Sequence, residues 1–398
     1  MGSKKKKIMI VAGEASGDLH GSSVVKAVMR LDPEIHVYAM GSEQMRQGGA
    51  EIIIDSSALA VVGISEVWGS IGGLLRAYWT LKKFIRKDRP GLLILIDFPD
   101  FNLSLARVAQ RAGVPVLYYI SPQVWAWRSG RVKKIAKRVN KMAVIFPFEV
   151  SIYQNAGVDV EFVGHPLLDV LGASQKEDLS LDHSEWRGDP LIALLPGSRE
   201  KEIKSLLPEM VRAAKIISGQ KPGAQFILAA APSVNVQELK KFLRPQSVSI
   251  SVVEGPAHNA IMAATLVIVA SGTATLETAI LGKPMVIVYQ VSPLSYWIGK
   301  AMVQVDWVGL VNIIAGKKVV PELLQEEARG ERIAAEALRV LDEETYRQEM
   351  VEELAEVRKK LGTAGAAERV ARMALEMIKE NRAVSDALSA KKGSLADC

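Results

Sequence analysis

An aspartate stands at the mouth of an apolar run in LLILIDFPDFN: Asp97 follows Ile96, with Asp100 and Asn102 close behind. A carboxyl at the end of a buried strand loses part of its hydration. That loss raises its pKa towards neutrality and fits it to accept a proton. Asp100 and Asn102 precede a helical pattern, SLARVAQRA, and suit its N-cap. Asp97 lies too early for capping and is the candidate base. A second acidic turn, GEASGD, follows the first apolar run, IMIVAG. Glycine turns after a first strand commonly hold phosphate on backbone amides, yet Glu14 and Asp18 would repel it. Residue type alone leaves open what the turn of Gly13, Ser16 and Gly17 holds. Glu14 is a second acid at a strand end, and Asp18 suits an N-cap for LHGSSVVKAVMRL.

Two further strand ends suit an anion. LLPGSREKEI breaks from strand to helix at Pro-Gly-Ser-Arg. Small residues leave amides free, the helix N-terminus favours negative charge, and the Arg199 fork beside Ser198 matches phosphate oxygens. The competing reading is a plain turn with a surface arginine. IVASGTATLETAI repeats the pattern with Ser271, Gly272 and Thr273, followed by Glu277. A carboxylate there can accept both hydroxyls of a ribose; the alternative is a carboxylate placed by the helix dipole. Two such turns together favour a nucleotide diphosphate. Neither is a lysine-bearing P-loop or a GxGxxG turn, which leaves kinase and dehydrogenase chemistry with little support.

Aromatic and basic residues mix in two places. YYISPQVWAWRSGRVKK sets Trp125 and Trp127 beside Arg128, Arg131, Lys133 and Lys134. Aromatics next to cations suit a lipid or sugar phosphate; the alternative is core tryptophans beside a solvated helix face. Residues 58–90 combine Val67, Trp68, Ile71, Leu74, Leu75 and Trp79 with Arg76, Lys82, Lys83, Arg86 and Lys87. That mixture suits a membrane surface or an amphipathic crossover helix packed on a sheet. Both hold together with Leu75 turned inward and Trp68 and Ile71 outward.

The elements that must position these groups alternate. Near-continuous apolar runs at 8–13, 37–41, 92–98, 114–121 and 141–148 read as parallel strands buried on both faces, with helices between them. The pattern restarts at 191–197, 224–232, 248–255, 265–271 and 284–291. The expected fold class is α/β: two Rossmann-like, doubly wound parallel-sheet domains facing a cleft, with C-terminal helices. The expected division is 1–175, 176–345 and 346–398, with a polar linker at 171–190 and the last helices packing back on the first domain. Ligands of open parallel sheets bind outside the carboxyl ends of strands, where the GEASGD, IDFPDFN, PGSR and SGT motifs lie.

Composition narrows the class. The 398 residues suffice for two cores, and the formal net charge is +6. No nucleic-acid motif accompanies that charge, so phosphorylated or lipid partners fit better. The one cysteine, Cys398, excludes an internal disulfide, and the five histidines show no metal-ligand spacing. No run approaches the roughly 20 apolar residues of a membrane span. The short apolar run after KKKK reads as a first strand rather than an export signal, and KKKK itself as a solvated flank.

GEASGD, VGISEV, IDFPDFN, YYISPQVWAWR, GHPL, LLPGSR, SGTATLE and VNIIAGKKVVPELLQ, in this order from about residue 8 to 375, together resemble the lipid-A-disaccharide synthase family. The resemblance implies a glycosyltransferase of the GT-B type, inverting at the anomeric carbon. The implied reaction joins UDP-2,3-diacylglucosamine to 2,3-diacylglucosamine 1-phosphate (lipid X) and releases UDP. It implies no cofactor and no structural metal, a peripheral place on the cytoplasmic face of the inner membrane, and leaves a homo-oligomer open. Asp97 would deprotonate the acceptor hydroxyl; Gly13, Ser16 and Gly17 would form one wall of the sugar site, where Glu14 would bond hydroxyls or share base duty with Asp97. Ser198, Arg199 and Ser271–Thr273 would face the UDP diphosphate, and Glu277 the ribose. Asn312 matches a family asparagine near the nucleotide. Trp127, Arg128 and Arg131 would meet the acceptor, and Val67, Trp68, Ile71 and Leu74 the membrane. Another UDP-sugar enzyme, such as a non-lipid glycosyltransferase or an epimerase, would not need that apolar patch; a non-catalytic binding protein would not need Asp97.

Overall fold

The structure, a computed structural model, describes residues 6–57, 67–125, 130–177, 189–231, 234–244, 246–291 and 306–394. The chain forms two compact units, residues 1–166 with 363–398 and residues 167–362.

The first unit holds seven parallel strands: β1 (Lys7–Ala12), β2 (His36–Gly41), β3 (Glu51–Asp55), β4 (Leu92–Ile96), β5 (Val116–Tyr119), β6 (Lys141–Val144) and β7 (Asp159–Phe162). Their order is β3-β2-β1-β4-β5-β6-β7, which reverses direction between β1 and β4. Its helices are α1 (Ala15–Leu31), α2 (Glu43–Gln47), α3 (Val67–Asp88), α4 (Pro99–Ala112), α5 (Arg131–Ala136) and α6 (Phe148–Gln154). β4 is buried at every position, as a strand covered on both faces must be. Ala12 pairs with Ile96 in the register of β1 and β4, so the turns bearing Glu14 and Asp97 leave the sheet from adjacent strands.

The second unit contains α7 (Leu167–Glu177), β8 (Leu191–Leu195), α8 (Glu200–Gln220), β9 (Gln225–Ala230), α9 (Val236–Leu243), β10 (Ile250–Glu254), α10 (Ala257–Ala263), β11 (Leu266–Ala270), α11 (Thr273–Ile280), β12 (Met285–Tyr289), α12 (Leu310–Ala315), β13 (Glu322–Leu324), α13 (Gly330–Asp342) and α14 (Glu344–Lys360). The parallel order β10-β9-β8-β11-β12-β13 reverses between β8 and β11. Val269 pairs with Leu195 there, so the PGSR and SGT turns also leave adjacent strands. The expected doubly wound α/β class is the one observed.

Three strands escape the apolar-run reading: β3, β7 and β13. Each is a sheet edge. β7, DVEF, alternates exposed and half-buried residues, because an edge strand needs no continuous apolar surface. The expected linker begins later than its polar residues suggest: α7 runs through 171 to Glu177, while 178–188 lies outside the described residues. Lys6 and Lys7 of the expected lysine flank belong to the fold. Lys6 pairs with Asp32 at 2.7 Å and Lys7 opens β1.

α3 corrects the expected orientation of its apolar face. Ala77, Leu81 and Ile85 are buried at four-residue spacing, whereas Leu75 is 54% and Trp79 59% exposed. Leu75 therefore points outward; the small Ala77 lets the helix approach the sheet, and the stripe through it sets the buried side. Leu74 is half-buried, and the side chains of Val67, Trp68 and Ile71 lie outside the description.

The last helix, α15 (Ala366–Ser394), extends past the expected end near 380 and packs on α1 of the first unit. Ala366, Val370, Ala371 and Ala374 are wholly buried along it. Arg369 secures its start: Nε donates to the Val163 carbonyl at 2.9 Å, Nη1 to Ala364 at 3.0 Å and Nη2 to Thr363 at 2.5 Å. Replacing Arg369 by Ala leaves three carbonyls without this donor and should lower stability by about 1–3 kcal/mol, read as a lower denaturant midpoint at unchanged slope.

Candidate active site

At the reversal point of the first sheet, Asp97 is half-buried. Burial foremost, and the Glu14 carboxylate next, push its pKa up to about 6, although the Phe98 amide opposes the shift. Both Asp97 and Phe98 adopt left-handed backbone, with φ of +47° and +46°. Glu14 is exposed at the start of α1 and makes no side-chain capping bond; Ser16 is exposed in the first turn. Two carboxyls with different environments thus share one strand-end corner, an arrangement suited to proton transfer at a sugar hydroxyl.

The neighbouring residues divide between chemistry and scaffold. Gly13 is not open ground for a sugar: a Cβ there would stand 2.6 Å from Phe98 Cγ, so the Phe98 ring occupies that space. Gly17 lets α1 approach Ala12, whose Cβ would be 3.1 Å from a Cβ at 17. Asp18 is not an N-cap. It is buried, and its carboxylate accepts from the Ser42 amide at 2.6 Å and the Ser42 hydroxyl at 2.5 Å, tying α1 to the end of β2. Nor does Asp100 or Asn102 cap α4, whose N-cap position is Phe98. The bend at 97–98 starts the helix earlier than its polar residues suggest.

Arg131, expected at the acceptor phosphate, is instead buried. Its Nη2 grips both Asp100 oxygens at 2.6 and 2.7 Å, pinning α5 to α4. Trp127 and Arg128 lie outside the described residues. Trp125 is half-buried and held by a residue that sequence reasoning missed, Glu149. One Glu149 oxygen accepts from Ser121 Oγ at 2.5 Å and Trp125 Nε1 at 3.3 Å, the other from the Phe146 amide at 3.2 Å. Burial pushes the Glu149 carboxyl up to about 7 against those three donors. The only sequence signal was an acid in FPFE, just past an apolar strand.

In the second unit, Ser198 and Arg199 are exposed at the end of β8. Arg199 is the N-cap of α8, and Glu202 reaches back to it: the Arg199 amide and Nη1 lie 3.4 and 3.1 Å from the Glu202 carboxylate. This is one half of a capping box, since a guanidinium has no acceptor for the Glu202 amide; the spacing of Arg199 and Glu202 was its missed signal. Glu202 thereby sets a carboxylate at this turn. Gly197, at φ +106°, supplies the left-handed step before the turn. At the end of β11, Gly272 and Thr273 are exposed and open α11. Ser271 is half-buried, with Oγ 3.4 Å from the Val308 carbonyl. Glu277 sits beyond the first turn of α11, too far in for a dipole site; burial alone raises its carboxyl. Glu277 therefore costs free energy to keep charged.

Asn312 departs from the expected nucleotide contact. It is wholly buried, and its Nδ2 donates to the Val320 carbonyl at 3.0 Å and to Glu322 at 2.7 Å. Its Oδ1 accepts from the Val319 and Val320 amides at 2.7 and 3.0 Å. Both donors and the acceptor are committed to the protein, so Asn312 braces the loop from α12 to β13. Glu322 completes the brace by accepting from the Val308 and Gly309 amides. Among the described residues no group of three or more His, Cys, Asp or Glu is placed to hold a metal ion, and no helix is long and apolar enough to cross a membrane.

Comparison with known proteins fits this geometry. In solved structures, a UDP-GlcNAc 2-epimerase of Neisseria meningitidis bound to UDP-GlcNAc aligns with TM-score 0.66 at 11% identity, covering 93% of this chain and 100% of its own. A UGT transferase of Siraitia grosvenorii in complex with UDP aligns with TM-score 0.60 at 13% identity, covering 94% and 99%. At such identities these share the GT-B fold alone. The lipid-A-disaccharide synthase of Geobacter metallireducens is 49% identical over 380 residues, 95% of this chain and 98% of the relative. That of Coxiella burnetii is 40% identical over 94% and 99%. The profile of the lipid-A-disaccharide synthetase family matches residues 8–376, and the chain belongs to that family.

Proposed function

We propose that the protein transfers 2,3-diacylglucosamine from UDP-2,3-diacylglucosamine to lipid X, giving the lipid A disaccharide 1-phosphate and UDP, with inversion at the anomeric carbon. The observation that carries the mechanism is Asp97 at the reversal point of the first sheet, its carboxyl at about 6 beside Glu14. The acceptor 6-hydroxyl attacks the anomeric carbon; its proton passes to Asp97 as the bond to the UDP oxygen breaks. A base with pKa just below neutral is mostly ionised at pH 7 yet basic enough to take that proton. The leaving diphosphate gathers negative charge, which the Ser271–Thr273 amides and Arg199 are suited to stabilise. Glu277 would accept the ribose hydroxyls. Glu14 would orient acceptor hydroxyls, and Ser16 would lie beside it.

The protein would work at a cytoplasmic membrane face, where both lipid substrates reside. α3 supports this reading. Exposed Leu75 and Trp79 adjoin Lys82, Lys83, Arg86 and Lys87, and Lys82 Nζ lies 3.9 Å over the Trp79 ring. Apolar side chains flanked by cations suit anionic lipid.

Release of UDP on mixing the protein with UDP-diacylglucosamine and lipid X tests the reaction, and no release would refute it. Replacing Asp97 by Asn should lower turnover by about 10²–10⁴-fold with UDP affinity unchanged. In the unmodified enzyme, kcat/KM should be flat above pH 6 and fall tenfold per pH unit below, because protonation removes the base; a flat profile to pH 5 would exclude it. The Glu277→Gln variant should weaken UDP binding about tenfold or more and leave binding of lipid X unaltered, measured by calorimetry. Exchanging both Leu75 and Trp79 for Ser should reduce the fraction sedimenting with anionic vesicles.

A further inference from the structure

Asp97 and Phe98 are successive non-glycine residues in the left-handed region. Cβ-bearing residues seldom adopt it, and two in a row persist only where neighbours dictate the shape. The neighbours here are specific. Asn102 is wholly buried, and its Nδ2 donates to two successive carbonyls, Ile96 at 3.1 Å and Asp97 at 2.7 Å. Buried Tyr118, on β5, donates its hydroxyl to the same Asp97 carbonyl at 2.5 Å. The Asn102 amide nitrogen bonds the Phe98 carbonyl at 3.0 Å, and the Asp97 amide nitrogen bonds the Tyr119 carbonyl at 3.2 Å. Turning the Asn102 amide over would set its oxygen against two carbonyl oxygens, so only one orientation serves. Its Oδ1 is left without a hydrogen-bond partner among the described residues. A side chain chosen for stability alone would satisfy that atom.

Resting on the reading of Asp97 as base, we infer that Asn102 and Tyr118 are positioning residues of the reaction. By clamping the carbonyls of Ile96 and Asp97 they force the chain to bend at the strand end, and the bend holds the Asp97 carboxylate in its half-buried place beside Glu14. Neither residue touches substrate. Relaxing the clamp frees the 97–98 backbone towards ordinary conformations and lets the carboxylate move into water. Two effects follow: the proton acceptor leaves its alignment, and its pKa drops towards the usual carboxylate range. The groups that act on Asp97 are Glu14 from the β1–α1 turn, the Phe98 amide, and the Tyr118 hydroxyl from β5, which bonds its carbonyl. All but the Tyr118 hydroxyl are left in place by the variants below.

The test compares Tyr118→Phe, Asn102→Ala and Asp97→Asn in the full-length protein, using UDP release, UDP calorimetry and thermal unfolding. Tyr118→Phe removes one oxygen from a ring that still fills its site, so it decides the matter if Asn102→Ala fails to fold. The expected result is a kcat fall of about tenfold for Tyr118→Phe and about 10²-fold for Asn102→Ala, misplacements of this size being worth that much. KM for both substrates and UDP affinity should stay within about twofold. The acid limb of kcat/KM should move to lower pH in both variants. A kcat fall with an unmoved acid limb would mark a merely structural role and overturn the inference, as would unchanged kcat beside an inactive Asp97→Asn. Turnover retained in Asp97→Asn would instead strike the base reading, and this inference with it.

Discussion

Both sheets are parallel and covered on two faces, and that burial governs where polar chemistry is allowed. β1, β4, β8 and β11 are wholly or almost wholly buried along their inner lengths. Each large apolar side chain so placed contributes about 1.5–3 kcal/mol relative to exposure, and an unpaired charge among them would cost more than it gains. Ionisable groups are therefore driven to strand ends. The reversal of strand order between β1 and β4, and again between β8 and β11, separates the helices that cover neighbouring strand ends, so those ends stay accessible. Asp97, Glu14, Arg199 and the Ser271–Thr273 turn all lie at these two points.

Buried polar side chains then shape the turns that the strands leave open. Asp18 joins α1 to the end of β2, Arg131 joins α5 to α4, Glu149 gathers Ser121, Trp125 and Phe146, and Asn312 with Glu322 folds the loop into β13. Each is a charged or amide group with its partners close at hand, as burial demands. Ser198, Arg199, Gly272 and Thr273 contrast with these by being exposed. The contrast separates residues that hold the site from residues able to meet a ligand.

The carboxyls are likewise tuned by place. Asp97 and Glu149 are raised to about 6 and about 7, both chiefly by burial. Glu149 is surrounded by protein donors, while Asp97 offers its carboxylate beside a second acid. Asp55, with Ser57 donating to it in an exposed turn, is lowered instead. A carboxyl thus serves as a scaffold or as a turn anchor, or stands half-buried at a strand end, according to hydration and donors.

Periodicity alone determined the α/β class, the nine central strands with edge strand β10, and the strand-end positions of the motifs, because strands buried on two faces must be continuously apolar. Edge strands such as β7 left no such trace. Residue type also announced an acid at 97 and small-residue turns at 196–199 and 271–273. It did not reveal which polar groups face inward. Asn312 and Arg131 read as ligand contacts and proved to be braces, and Leu75 read as inward and proved outward. Those outcomes depend on which neighbour completes a hydrogen-bond set or a packed stripe, and the neighbours come from distant segments: Asp100 for Arg131, Glu322 and Val320 for Asn312. The left-handed bend that aims Asp97 is likewise decided by Asn102 and Tyr118, the latter 21 positions away on another strand; only the folded chain brings that hydroxyl to that carbonyl.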